Sequence, residues 1–132
     1  MPGASKLLLD THLVLWLAIE PGRLSPAALA LIRDRRSALA FSVASLWEVA
    51  IKTSLGRPDF RVDAAALRAG LLERGFEECP IRADHVLRVA SLPWIHRDPF
   101  DRLLVAQADV DQLTLLTQDA ALAGYGPRIR VL

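Results

Sequence analysis

The alternation of short apolar runs with longer helical patterns is the feature that most constrains this fold. Runs of buried-strand type occupy 6–9, 38–42, 113–117 and 128–132, and 76–81 contains a further short candidate. Segments of helical periodicity fill the intervals between these runs. Strands that alternate with helices form parallel sheets whose two faces are covered by the helices. We therefore predict an α/β fold with helices on both faces of a parallel sheet.

Capping residues and helix breakers set the expected helix boundaries. Pro21-Gly22 ends the first helix, Ser25-Pro26 begins the second, and Gly56 with Pro58 ends the third. The predicted helices cover 11–19, 26–36, 43–56, 63–74, 83–92 and 98–110. The segment 118–126 is expected to form a short helix or a turn.

Composition limits the class of protein more than it identifies a function. The 132 residues carry a net charge of +1 and suit one domain spanning residues 1–132. The single cysteine, Cys79, excludes an internal disulfide and fits a reducing compartment. Asp10 and His12 interrupt the first apolar stretch, so we read no signal peptide there, and no run approaches the ~20 residues of a membrane span. We expect a cytoplasmic protein without membrane association.

Four acidic residues from four separate segments are expected to converge at one edge of the sheet. Asp10 directly follows the strand at 6–9, and Asp119 follows the strand at 113–117 by one residue. Glu48 and Asp101 lie on helices, each beside apolar neighbours. Open α/β sheets bind ligands outside the carboxyl ends of their strands, which is where these acids would meet.

Each acid also has a local structural explanation. Asp10 and Asp119 suit helix capping, Asp101 suits a helix dipole, and Glu48 can pair with Lys52 one turn away. Together, however, several close carboxylates would repel one another and raise each other's pKa unless a cation neutralised them. A site without cysteine or a histidine pair favours Mg²⁺ or Mn²⁺. The commonest chemistry of such a site is phosphoryl transfer with a metal-activated water.

Four segments, in this order and at this spacing, resemble the PIN domain family. They are LLLDTHLVLWL, SVASLWEVAIK, HRDPFDRLLVAQA and LTLLTQD, and the resemblance covers essentially the whole chain. More narrowly, the chain is similar to the VapC-type toxins of bacterial toxin–antitoxin pairs. The resemblance implies a three-layer α/β/α sandwich around a parallel sheet and a Mg²⁺-dependent endoribonuclease activity in which Mn²⁺ may replace Mg²⁺.

The resemblance also implies roles for individual residues. Asp10 and Asp101 would bind the principal metal, while Glu48 and Asp119 would complete the acidic pocket and orient the attacking water. Asp98 is expected to cap its helix. It is also a candidate for contacting the metal ligands without binding the metal itself. The other supporting candidates are three hydroxyls, those of Thr11, Ser42 and Ser45, although Ser42 equally suits a helix cap.

The expected partners are an RNA substrate, a VapB-like antitoxin and a second copy of the chain. Arg97 and Arg102 flank the acidic motif and suit either RNA phosphates or pairing with nearby acids. The apolar surroundings of Trp16 suit an interface. The histidines are not spaced as a metal set and are expected in solvent or at the edge of the core; they are His12, His85 and His96.

Two other readings stay open on the residues alone. One is another Mg²⁺-dependent phosphohydrolase. Such an enzyme would need a second acid two residues after the strand-end Asp10, and the chain has His12 there. The other is a non-catalytic PIN-like module that binds RNA or a partner. A missing acid would support that module, and none of the four is missing.

Overall fold

The computed structural model describes residues 6–132, so the first five residues of the predicted 1–132 domain lie outside it. Five parallel strands form one sheet in the order β3-β2-β1-β4-β5. The strands are β1 (Leu7–Leu9), β2 (Leu39–Ser42), β3 (Glu77–Cys79), β4 (Thr114–Thr117) and β5 (Ile129–Val131). The predicted fold class is confirmed.

Six α-helices accompany the sheet. They are α1 (Thr11–Ile19), α2 (Pro26–Arg33), α3 (Val43–Ser54), α4 (Ala64–Glu73), α5 (Ala83–Val89) and α6 (Pro99–Asp111). Short 3₁₀ helices cover Pro21–Arg23 and Ala120–Tyr125. Among the described residues, no helix has the length and apolar character needed to cross a membrane.

The side chains of β1 divide the core into two layers. Leu7 and Leu9 pack on one face of the sheet with residues of α1, α3 and α4, whereas Leu8 packs on the other face with residues of α6. Successive residues of a strand point to opposite faces, so this central strand is apolar throughout because both of its faces are covered. The result is the three-layer α/β/α arrangement.

Several predicted boundaries were too generous. Helix α2 ends at Arg33 rather than near Arg36. The Asp34 N–H makes the last helical hydrogen bond, to the Ala30 carbonyl oxygen, and the Ser37 N–H then donates to the Asp34 carbonyl oxygen in a turn. Helix α5 stops at Val89, and β3 is confined to Glu77–Cys79. Each prediction extended an element into a turn that the sequence pattern alone does not reveal.

The strand order creates a crevice at the carboxyl ends of β1 and β4. From β1 the chain adds β2 and β3 on one side, and it then crosses to add β4 and β5 on the other side. Such a reversal leaves the connections of the two central strands diverging, which opens a ligand crevice at their carboxyl ends. The residues that immediately follow β1 and β4 therefore face a common space.

Candidate metal centre

Asp10 is the innermost acid of the crevice. It follows β1, and its Oδ1 accepts a 2.9 Å hydrogen bond from the Leu13 N–H, which caps α1. Its Oδ2 accepts a 2.6 Å hydrogen bond from the Thr117 hydroxyl at the end of β4. Burial raises the pKa of Asp10, because an apolar environment disfavours the charged form, and the two hydrogen bonds only partly oppose the increase.

Glu48 enters the same region from α3. Its side chain is only 6% exposed, and its Oε2 lies 2.9 Å from Lys52 Nζ on the next turn of the helix. The pairing considered from the sequence is therefore present, but at a buried carboxylate rather than at an exposed one.

Asp101 lies in the first turn of α6, with a side chain that is 13% exposed. Burial is the largest cause that raises the pKa of Asp101 to about 7, and the charges of Asp98, Asp10 and Glu48 raise it further, while His96 opposes them. Asp98 caps α6 by accepting hydrogen bonds from the N–H groups of Phe100 and Asp101. The capping prediction for Asp98 is confirmed, and Asp101 does not share that role.

Asp119 and His96 form the outer part of the cluster. Asp119 accepts a hydrogen bond from the Ala121 N–H and is 44% exposed. His96 Nε2 lies 3.4 Å from Asp119 Oδ2, and His96 Nδ1 lies 3.7 Å from Asp101 Oδ2. One ligand atom from each of His96, Asp101 and Asp119 falls within 4.8 Å of the others. His96, which the sequence analysis expects in solvent or at the edge of the core, is therefore partly buried and lies beside these two acids.

The hydroxyl candidates divide into two groups. Thr11 and Ser45 hydrogen bond to each other at 2.9 Å, which joins α1 to α3 beside Asp10 and Glu48. Ser42 accepts from the Ala44 N–H as the cap of α3 and donates to Gln107 on α6.

Sequence reasoning missed Thr117, which contacts Asp10 directly. The available signal was its place as the last residue of a strand that precedes an acid.

Arg102 is not available to RNA, contrary to one of the two predictions made for it. The residue is 3% exposed, and its guanidinium donates to the carbonyl oxygens of Pro93 at 2.8 Å and Val89 at 3.0 Å and to the Tyr125 hydroxyl at 3.1 Å. The Trp94 ring covers it at 4.0 Å. Arg102 therefore anchors the segment between α5 and α6.

Arg97, unlike Arg102, is exposed, and it lies beside the acidic cluster.

The donor set fits a hard divalent cation. A carboxyl group whose pKa is raised by neighbouring carboxylates is one that a positive ion would return to the charged state. Carboxylate oxygens are the ligands that Mg²⁺ and Mn²⁺ prefer, and they predominate here over the single imidazole of His96. Asp10, Glu48 and Asp101 are brought together at the crevice, with Asp119 at its outer edge.

Three solved structures have the same fold over nearly their whole length. VapBC2 from Rickettsia felis, bound to a DNA fragment from its promoter, is 16% identical with a TM-score of 0.67, covering 96% of both chains. A toxin–antitoxin complex from Klebsiella pneumoniae is 18% identical with a TM-score of 0.64, covering 96% of this chain and 97% of that one. VapBC-5 from Mycobacterium tuberculosis is 24% identical with a TM-score of 0.60, covering 99% and 98%.

The family assignment comes from the sequence itself. No curated protein sequence matches the chain. The family model of the PIN domain matches residues 7–126, a span that begins with β1 and includes all four acids and His96. This protein belongs to the PIN domain family.

Proposed function

We propose that this protein is a divalent-metal-dependent endoribonuclease that acts as the VapC-type toxin of a toxin–antitoxin pair. The observation that carries the proposal is the buried carboxylate cluster, in which burial, together with the charges of neighbouring acids, raises the pKa of Asp101 to about 7. The cluster lies at the crevice between β1 and β4, where an α/β sheet places its ligands. The structural neighbours, which are toxin–antitoxin complexes, support the toxin assignment.

Asp10 and Asp101 are the proposed ligands of Mg²⁺, for which Mn²⁺ can substitute. When bound, such an ion acidifies a water molecule and offsets the charge that develops on the phosphate. The Thr117 hydroxyl donates to Asp10 Oδ2 and so partly offsets the effect of burial on the charged form of Asp10. Proton release from Asp101 is the step that binding of the cation requires, because this carboxyl group is partly protonated near neutral pH.

Glu48 and Asp119 are the proposed groups that position the attacking water. The Lys52 ammonium orients the Glu48 carboxylate through Oε2, and this carboxylate accepts a hydrogen bond from that water. In hydrolysis the water oxygen forms a bond to phosphorus as the bond between phosphorus and the leaving oxygen breaks, and the proton that the water loses is balanced by the one that the leaving oxygen takes up. The supporting contact between Thr11 and Ser45 fixes α1 against α3, so that Asp10 and Glu48 keep their separation.

The remaining proposals concern partners and location. A VapB-like antitoxin, an RNA substrate and a homodimer follow from the VapC assignment, as does a cytoplasmic location. Exposed Arg97 is the proposed phosphate contact near the cluster, a role that buried Arg102 cannot share.

The direct test is RNA cleavage by the purified chain with Mg²⁺, with Mn²⁺ and with a chelator. We expect cleavage with either metal and none with the chelator. Asp10→Asn and Asp101→Asn should each abolish cleavage while the protein stays folded, as judged by circular dichroism. A folded chain that binds RNA but never cleaves it would support the non-catalytic module instead. Hydrolysis of a small phosphate ester without RNA cleavage would support another phosphohydrolase.

A further inference from the structure

A pocket of about 390 Å³ lies between α1, the end of α3 and the loop at 59–62. Its volume is within the ~300–1,000 Å³ range of small-ligand sites. The side chains that give it chemical character are two aromatic rings, one histidine and three cations; they are Trp16, Phe60, His12, Arg23, Lys52 and Arg61. None of these residues belongs to the four acids of the candidate metal centre.

A cationic side chain lies over each aromatic ring of the pocket. The Arg23 guanidinium lies 5.0 Å from the centre of the Trp16 ring, and Lys52 Nζ lies 6.0 Å from the centre of the Phe60 ring. His12 packs beside Trp16 with its ring centre 5.6 Å away. Planar surfaces for bases combined with cations for phosphates are the chemistry of single-stranded nucleic acid sites.

The pocket adjoins the acidic crevice through two of its residues. Lys52 Nζ contacts Glu48 Oε2 at 2.9 Å, so one wall of the pocket touches the acid cluster. His12 is close enough to Asp10 for its charge to lower the pKa of that carboxyl group. A polynucleotide whose phosphate lies at the crevice would therefore have a neighbouring nucleotide within reach of the pocket.

The charge and shape of the pocket favour a nucleotide over a peptide. Three cations line it against two acids, Glu20 and Asp59. Among the described residues, Glu20 is the acid that pairs with Arg23, at 4.0 Å, and both side chains are 60% exposed, so a phosphate can replace that partner. The neighbouring groove between α1 and α4 contains no aromatic ring, so it lacks a stacking surface.

We propose that this pocket binds one unpaired nucleotide of the RNA, with the base against the Trp16 ring and phosphates against Arg23 and against Lys52 or Arg61. The proposal rests on the proposed ribonuclease function and specifies its substrate as single-stranded at this position. A base inside a helix is stacked on both sides, so it cannot enter a recessed pocket without leaving the duplex.

The test uses the full chain carrying Asp101→Asn, kept in a chelator so that RNA is not cleaved. The probe is an oligouridylate of about eight nucleotides, within the roughly 4–16 nucleotide range of single-strand sites. Trp47→Phe and Trp94→Phe leave Trp16 as the only tryptophan, because the chain has three. We expect the probe to quench Trp16 fluorescence, and an RNA duplex of equal length to bind more weakly and quench less.

Two substitutions and one control then locate the binding. Trp16→Leu should weaken oligouridylate binding on the order of tenfold, as expected for loss of base stacking. Arg23→Ala, at an exposed side chain that does not endanger folding, should weaken binding and lower the salt dependence by about 0.7 in the log–log slope. Trp94→Leu, which removes the more exposed of the two tryptophans outside the pocket, should leave the affinity unchanged.

The proposal is overturned if Trp16→Leu and Arg23→Ala both bind the probe as the parent does, or if Trp94→Leu weakens binding equally. It is also overturned if the pocket variants weaken binding of an antitoxin peptide but not of RNA, because the occupant is then a protein. Cleavage by the chain without Asp101→Asn separates the two proposals. Normal cleavage with an unchanged KM in Trp16→Leu rejects the pocket alone, whereas Trp16-dependent binding without any cleavage rejects the ribonuclease alone.

Discussion

The hydroxyl of Thr117 donates a 2.6 Å hydrogen bond to Asp10 Oδ2, joining residues that are 107 positions apart in the chain. Both side chains are buried, and they lie at the carboxyl ends of the adjacent strands β1 and β4. The bond stabilises the charged form of a carboxyl group whose pKa burial raises. Because the sheet places β4 beside β1, Thr117 reaches Asp10 and affects the protonation of this candidate metal ligand.

Thr117→Val should weaken metal binding, because the Thr117 hydroxyl donates to Asp10 Oδ2 and also accepts from the Asp119 N–H. Valine fills the same volume but cannot donate to Asp10, so the pKa of Asp10 should rise. The metal must then displace a proton from Asp10 in a larger fraction of the molecules. We expect Mn²⁺ affinity at pH 7, measured by titration calorimetry, to fall about tenfold, as is typical when a group that supports a metal ligand is lost. Thr114→Val in the same strand is the matched control. Equal affinities of Thr117→Val and the parent would contradict this role.

The metal-free protein should lose stability as the pH rises through the range from about 4 to 7. Asp101 has a folded-state pKa of about 7 against an ordinary value of 3.8, so in this range the folded state holds a proton that the unfolded state has released. Deprotonation therefore favours unfolding. Asp101→Asn should remove this contribution. In urea unfolding, the free energy of unfolding of this variant should exceed that of the parent at pH 8 and be similar to it at pH 4. A destabilised variant at pH 8 would instead make Asp101 a structural residue.

Arg102→Ala should destabilise the fold strongly, whereas Arg97→Ala should not. Loss of the buried guanidinium removes its hydrogen bonds to the Pro93 and Val89 carbonyl oxygens and to the Tyr125 hydroxyl, each of which keeps one backbone N–H donor. We expect the free energy of unfolding to fall by about 2–4 kcal/mol, since hydrogen bonds to a charged group contribute roughly 1.5–3 kcal/mol each and the surroundings relax in part. Denaturant unfolding of the two variants provides the measurement. Equal stability of both would mean that Arg102 is not an anchor.

His96→Ala and His96→Gln should differ in metal affinity. The Asp98 N–H donates to His96 Nδ1 at 3.2 Å, so the neutral ring carries its proton on Nε2, which faces Asp119. A protonated nitrogen supports an acid but cannot bind a metal. We expect His96→Ala to weaken Mn²⁺ binding about tenfold, and His96→Gln, which keeps an N–H at the outer position, to retain most of it. An equal loss in both variants would make His96 a metal ligand.

Local rules predicted much of the framework. Asp98 before Pro99 was recognisable as a helix cap, and the apolar run at 6–9 as a buried strand, because both depend on near neighbours in the chain. The end of α2 was misplaced because its stop is made by backbone hydrogen bonds around Asp34, with no glycine or proline to mark it. The placement of Asp10 and Asp119 after strands followed from the same local patterns.

The sequence by itself determined which segments alternate as strands and helices, since periodicity and capping act over one or two turns of chain. The tertiary structure decided what surrounds each polar side chain. It buried Arg102 beneath Trp94, placed His96 beside Asp119, and raised the pKa of Asp101 through burial and the charges of distant acids. Those effects depend on distance through space and on exclusion of water, which the sheet order fixes and residue spacing does not.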